Sequence, residues 1–228
     1  MKRINPFILF EKYINEQKLD TKLYYQIMTR RNIIEEAIER VEKITSIDYP
    51  DYYIEPSLLI SSSEIEYGQY TILYARTIPV CTRQNQIKIM IQLSAPLVLY
   101  GLKGTIHAVV AHEFLHYLDF MKKIINFEVN SDTVPQSGFE ASFLDGEKTV
   151  DYKMVFKKDR SLRKMIDLRF NQGLNDPRLD KKTKTSWIDK KLPIKHMTIE
   201  NNYTRLPFYA IANTPIEKHL RMKIMEWI

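Results

Sequence analysis

The sequence predicts an α+β fold, on three observations. Apolar residues recur at helical spacing through the first fifth of the chain. Runs of β-branched and aromatic residues then follow between turn signals over residues 54–93. Beyond them, a long uncharged helical segment opens a mostly helical second half. With 228 residues and 44% hydrophobic content, the chain can bury the core of one large domain, or of one domain with a small appendage.

The elements follow in order. Residues 6–17 read as a short helix. Asp20 and Thr21 can cap a longer one to about residue 47, with Ile27, Ile34, Ile38 and Val41 on one face and charged residues between them. Tyr49-Pro50-Asp51 ends it. Strands are expected over 54–61, 70–76 and 86–93, with turns at Gly68 and at Gln84-Asn85. The last run has apolar residues on both faces, so both faces are expected to be partly covered. Gly101 to Gly104 reads as a turn, and Thr105 as the cap of a helix to about residue 125. Further helices are expected over 138–156, 160–174, 181–190 and 216–227, with a hairpin over 194–211 whose tip is Asn201-Asn202.

Composition excludes several classes. Cys81 is the single cysteine, so no disulfide within the chain and no Cys-rich zinc ribbon can form. It is expected to be a small buried residue at a strand end. The basic start Met1-Lys2-Arg3 precedes an apolar run too short for a signal peptide, with charges directly after it. The stretch 95–102 is far short of a membrane span. A cytoplasmic protein without membrane contact is expected. The net charge is +6, and it is concentrated: residues 157–191 hold twelve basic residues against five acids. Such a block attracts polyanions or forms a solvated helical surface.

The chemistry-bearing pattern is His112-Glu113-Phe114-Leu115-His116. Histidines four apart on a helix share one face, one turn apart, and can bind one Zn²⁺ through adjacent corners of a tetrahedron. Glu113 sits 100° round from His112, placed for a general base rather than a ligand. The flanking residues of Val109 to Leu118 are uncharged apart from the motif, so the helix is expected to be buried. Two histidines and a glutamate on such a helix would be costly without a ligand.

This stretch resembles the active-site helix of zinc metallopeptidases of the zincin group, over roughly residues 54–156. The strand at 87–93 resembles the edge strand that can bind substrate backbone there. The resemblance implies a zincin-like core over 49–157, built from a small mixed sheet, the active-site helix and a third-ligand helix. An N-terminal helical arm over 1–48 and a basic C-terminal module over 158–228 would flank it. It implies a Zn²⁺ cofactor and a zinc-activated water, with Glu113 as base, hydrolysing peptide bonds of a protein or peptide substrate. The metzincin variant does not fit, because Asp119 replaces its glycine and Lys122 occupies its third-ligand position. The gluzincin pattern instead implies a glutamate on the next helix. Glu140 is favoured, 24 residues after His116 and followed by Ala141. Glu147, with Asp151 four residues later, is the alternative third ligand or an outer-shell partner. Glu140 could equally close a capping box with Ser137, and Asp119 is expected in a surface pair with Lys123. Tyr203, Arg205 and His196 are candidate oxyanion donors.

Residues 181–211 resemble the excisionase/MerR type of winged helix-turn-helix, through Thr183, Thr185, Trp187-Ile188, Leu192-Pro193 and Arg205-Leu206-Pro207. On that resemblance, Lys181, Lys182, Lys184, Lys190 and Lys191 would meet DNA phosphates, and Thr183, Thr185 and Ser186 would reach bases. The alternative is a packing subdomain with Trp187 and Ile188 as core. The second functional expectation is therefore a DNA-binding regulator whose zincin domain is structural, latent, or active only on a bound partner.

Overall fold

The computed structural model describes residues 4–62, 70–130, 140–144, 150–170, 173–198 and 203–227. At 62, 70, 127–130, 140–144, 197–198 and 203–205 it describes the backbone alone. The fold is mixed α+β with small sheets, as expected.

The N-terminal helices are α1 (Ile8–Asn15), α2 (Thr21–Met28) and α3 (Arg31–Thr45). Asp20 caps α2 by accepting from the Lys22 N–H, as the sequence predicts. The helix expected over 21–47 is two helices, broken at Thr29-Arg30. The break turns Arg30 towards the Val98 and Gly101 carbonyls, so tertiary hydrogen bonds replace helix continuity. On α3, Ile34, Ile38 and Val41 are buried, the face the periodicity assigned.

The strands among the described residues form three small sheets. The first contains β1 (Asp51–Glu55), β4 (Ala75–Cys81) and β5 (Ile87–Ser94) in the order β1-β5-β4. β5 runs parallel to β1 and antiparallel to β4. This corrects the expectation that 87–93 is an edge strand. Ile87, Ile89, Ile91 and Leu93 are buried on one face and Gln92 and Ser94 on the other, and a strand covered on both faces belongs in the middle of a sheet. The edge nearest the long helix is β4. Asn85, at φ 54°, forms the turn expected between these strands.

The second sheet joins β2 (Leu58–Ser62), β3 (Tyr70–Leu73) and β7 (Ile194–Thr198) in the order β3-β2-β7. The third pairs β6 (Glu140–Leu144) with β8 (Tyr203–Pro207), Glu140 lying opposite Pro207. Thus β7 and β8 pair with strands from the first two-thirds of the chain, not with each other as a hairpin. The helix expected over 138–156 is also corrected. Residues 140–144 are strand, and among the described residues of that span only α6 (Tyr152–Val155), capped by Asp151, is helical. The non-local partner β8 overrides local propensity there.

α4 (Ala95–Tyr100) leads through Gly101 into α5 (Lys103–Asn130), the 28-residue helix at the centre of the fold. α5 packs against α3, β4, α7 (Arg160–Arg169), α9 (Phe208–Ala212) and α10 (Lys218–Glu226). Ile106, Ala108, Val110, Ala111, Phe114 and Leu118 are fully buried around its circumference, as its uncharged sequence predicts. Thr105 is not its cap. It lies inside the first turn, and its hydroxyl donates to Asp176 at 2.6 Å. α8 (Pro177–Thr183) starts at that same Asp176, which caps it, and continues as a wide turn over Lys184–Ile188. No helix among the described residues is long and apolar enough to cross a membrane.

Candidate metal centre

His112 and His116 project from the buried middle of α5. Their rings meet edge to face with centroids 4.9 Å apart, and the two Nε2 atoms approach to 3.3 Å. Two nitrogens each about 2.0–2.1 Å from a tetrahedral Zn²⁺ are about 3.3–3.4 Å apart. The helix therefore holds the imidazoles at the spacing of two adjacent zinc ligands. This pair fits the metal that the motif implies.

The ring of Phe170, just beyond the end of α7, stacks on His112 with centroids 3.6 Å apart and planes 15° apart. This contact fixes the plane of the His112 imidazole and covers one of its faces. Sequence reading missed it, because Phe170 lies 58 residues downstream and only the docking of α7 on α5 brings it there.

Glu113 is 6% exposed and is tied to the edge strand. Thr77 on β4 shares its hydroxyl between the Glu113 Oε2, at 2.8 Å, and the Glu113 backbone carbonyl, at 3.0 Å. Thr77 is itself 5% exposed, so this anchor is screened little by water. It too was missed. The available signal was a lone hydroxyl on the inward face of the strand, where its neighbours are Ala75 and Pro79.

The remaining candidates separate. Glu140 lies in β6, where only its backbone is described, and Glu147 lies outside the described residues. Among the described residues, no group of three or more His, Cys, Asp or Glu forms a ligand cluster. His107 faces away from the motif, with Nδ1 3.4 Å from Arg40. Burial, then the Arg40 charge, holds its pKa below the usual histidine value. His196 is exposed on β7, and His219 bonds the Ser46 carbonyl at 2.8 Å. Asp119 is not at the surface. It is 3% exposed, and its Oδ1 accepts from the Val150 N–H at 3.0 Å, which ties α5 to the segment leading into α6. Tyr203 and Arg205 lie in β8, opposite Leu144 and Ser142. Cys81, expected buried, is exposed at the end of β4.

Lys181, Lys182, Lys184, Lys190 and Lys191 are exposed on and just after α8. The hydroxyls beside them are engaged internally. Thr183 is fully buried and bonds Tyr74, and Thr185 donates to the Lys181 carbonyl. Trp187 is fully buried, with its indole N–H on the Pro193 carbonyl, so it belongs to the core. Among known proteins, no family model, curated protein or solved structure matches this chain.

Proposed function

We propose that this protein is a zinc-dependent peptidase with a zincin-like core. The observation that carries the reading is the 3.3 Å approach of the His112 and His116 Nε2 atoms on a buried helix whose next residue is Glu113. In this reading His112 and His116 supply two ligands, and Glu140, or Glu147 in its place, supplies the third. A Zn²⁺ held there provides a Lewis acid that acidifies water and polarises a scissile carbonyl.

The chain's own groups do the rest. Glu113 takes a proton from the attacking water at its carboxylate and returns it to the leaving amine. The Thr77 hydroxyl holds Oε2 of that carboxylate, and so limits how Glu113 can turn. Phe170 keeps one face of His112 away from water. β4 pairs with β5 on one side, and among the described residues no strand pairs with its other side. An extended substrate segment placed along that side would lie over the motif. Pro79 in β4 has no N–H, so the recognition is local, not a long added strand. The exposed Cys81 thiol is compatible with a reducing cytoplasm, where we place the activity.

The test is proteolysis of unfolded casein and of a mixed peptide library, read by mass spectrometry. Wild type is expected to cleave. Glu113→Gln is expected to lose about 10²–10⁴-fold in rate while keeping its metal. Equal cleavage by both proteins would remove Glu113 from the chemistry.

A further inference from the structure

A concave site lies at the N-terminal end of the same helix. It is a cleft of about 370 Å³ between the α2–α3 junction, the α4–α5 connection and one face of α8. Four cationic side chains line it: Arg30, Lys103, Arg178 and Lys182. None of its lining residues is acidic. Only Lys182 belongs to the set of lysines singled out in the sequence. Arg178 lies four residues before it on α8, whereas Lys103 and Arg30 are 79 and 152 residues away and only the fold brings them in.

The two guanidiniums are anchored on carbonyl oxygens, and no ion pair among the described residues neutralises them. Arg30 donates through Nε to the Val98 carbonyl at 2.6 Å and through Nη2 to the Gly101 carbonyl. Arg178 donates to the Tyr100 carbonyl at 3.2 Å. Carbonyl oxygens orient an arginine but bring no formal negative charge. Burial, and then the neighbouring Arg178, disfavour the charged form of Arg30. Like charges held together in a partly desolvated cleft are unfavourable unless an anion joins them. Lys103 pairs with Glu36 at the rim, which offsets one of the four charges. Arg178 and Lys182 are one turn apart on α8, so they face the same way.

We propose that this cleft binds a phosphate ester, with the Arg30 and Arg178 N–H groups not used on the carbonyls and the Lys182 and Lys103 ammonium groups meeting the phosphate oxygens. Fixed guanidinium forks suit tetrahedral oxyanions, and several cations in one place suit a doubly charged group better than a single carboxylate. The volume exceeds what a bare ion needs and falls in the range of small-molecule sites. Ile33, Leu99 and Leu102 give an apolar wall for the organic part of the ester. The site does not depend on the metal centre. Lys103 precedes His112 by nine residues, about 13 Å along the helix.

The test is isothermal titration of the full chain at 100 mM salt with three probes: inorganic pyrophosphate, adenosine 5′-monophosphate and a 12-nucleotide single-stranded DNA. The proteins are wild type, the double variant Arg178→Glu/Lys182→Glu in the cleft, and the double variant Lys184→Glu/Lys190→Glu outside it. All four substituted residues are exposed, and unchanged melting temperatures without ligand confirm that the variants fold. Saturable binding of at least one probe is expected, at least tenfold weaker in the cleft variant and within about twofold of wild type in the outside variant. Binding of the small probes alone assigns a free phosphate ester. DNA binding with the same variant pattern assigns the phosphates of a nucleic-acid strand. Absence of saturable binding for all three probes, or equal losses in the two double variants, would overturn the proposal.

Discussion

Replacing Thr77 with valine tests how the general-base candidate is held. Valine has the shape of threonine but no hydroxyl, so the change removes the donor that sits 2.8 Å from the Glu113 carboxylate and 3.0 Å from its carbonyl. Both residues are at most 6% exposed, so water cannot readily take the donor's place. A hydrogen bond to a carboxylate in such a setting contributes about 1.5–3 kcal/mol. For a chain of this size, about 2 kcal/mol corresponds to a fall of roughly 4–8 °C in melting temperature. Serine keeps the donor and loses one methyl group, a cost of about 0.8 kcal/mol. The assay is urea unfolding followed by circular dichroism, comparing midpoints at unchanged slope. The expected order of stability is wild type, then Thr77→Ser, then Thr77→Val. If Thr77→Val is as stable as wild type, or more stable than Thr77→Ser, the hydroxyl is not the anchor and the argument for a held Glu113 fails.

Other outcomes follow from the same structure. Asp159 receives two hydrogen bonds from Arg40, caps α7 through the Leu162 N–H, and accepts from Ser161. The Arg40 hydrogen bonds lead these effects in bringing its pKa down to about 2. A lowered folded pKa stabilises above the unfolded value near 4, and that contribution is lost as pH falls through about 2. After screening, it is about 1 kcal/mol. The gap in urea midpoint between wild type and Asp159→Asn should therefore shrink between pH 5 and pH 2. Gly101→Ala would place a methyl carbon 2.5 Å from the Leu97 carbonyl oxygen and 3.2 Å from Ile106, so a loss of about 1–3 kcal/mol is expected in thermal unfolding. Phe170→Ala uncovers one face of His112, and zinc affinity measured by chelator competition is expected to fall about tenfold. Unchanged affinity would make Phe170 a packing residue only.

What the sequence made legible was local. The helix bearing His112 and His116 could be read because its neighbours are uncharged, and β5 because isoleucines line it. The cap at Asp20 and the turn at Asn85 followed from backbone chemistry. What escaped was set by distant partners. Glu140 to Leu144 looked helical until β8, some sixty residues on, took it into a sheet. Strand order is not written in a strand, so the edge role went to β5 and not to β4. Asp176-Pro177 is a readable signal, a capping aspartate before a proline suited to a first helical turn, yet it falls in the gap between the helices expected over 160–174 and 181–190. Thr77, Phe170 and the Arg30–Arg178 cleft are products of packing and leave almost no local trace.

Zinc content by elemental analysis, on protein purified without chelators, bears most directly on the metal-centre proposal. One zinc per chain is expected for wild type and for Glu113→Gln, and none for folded His112→Ala or His116→Ala. Loss in either Glu140→Ala or Glu147→Ala would name the third ligand. Zinc retained equally by wild type and both histidine variants, or no zinc bound by wild type even when metal is supplied, would contradict the proposal that this helix is a metal site.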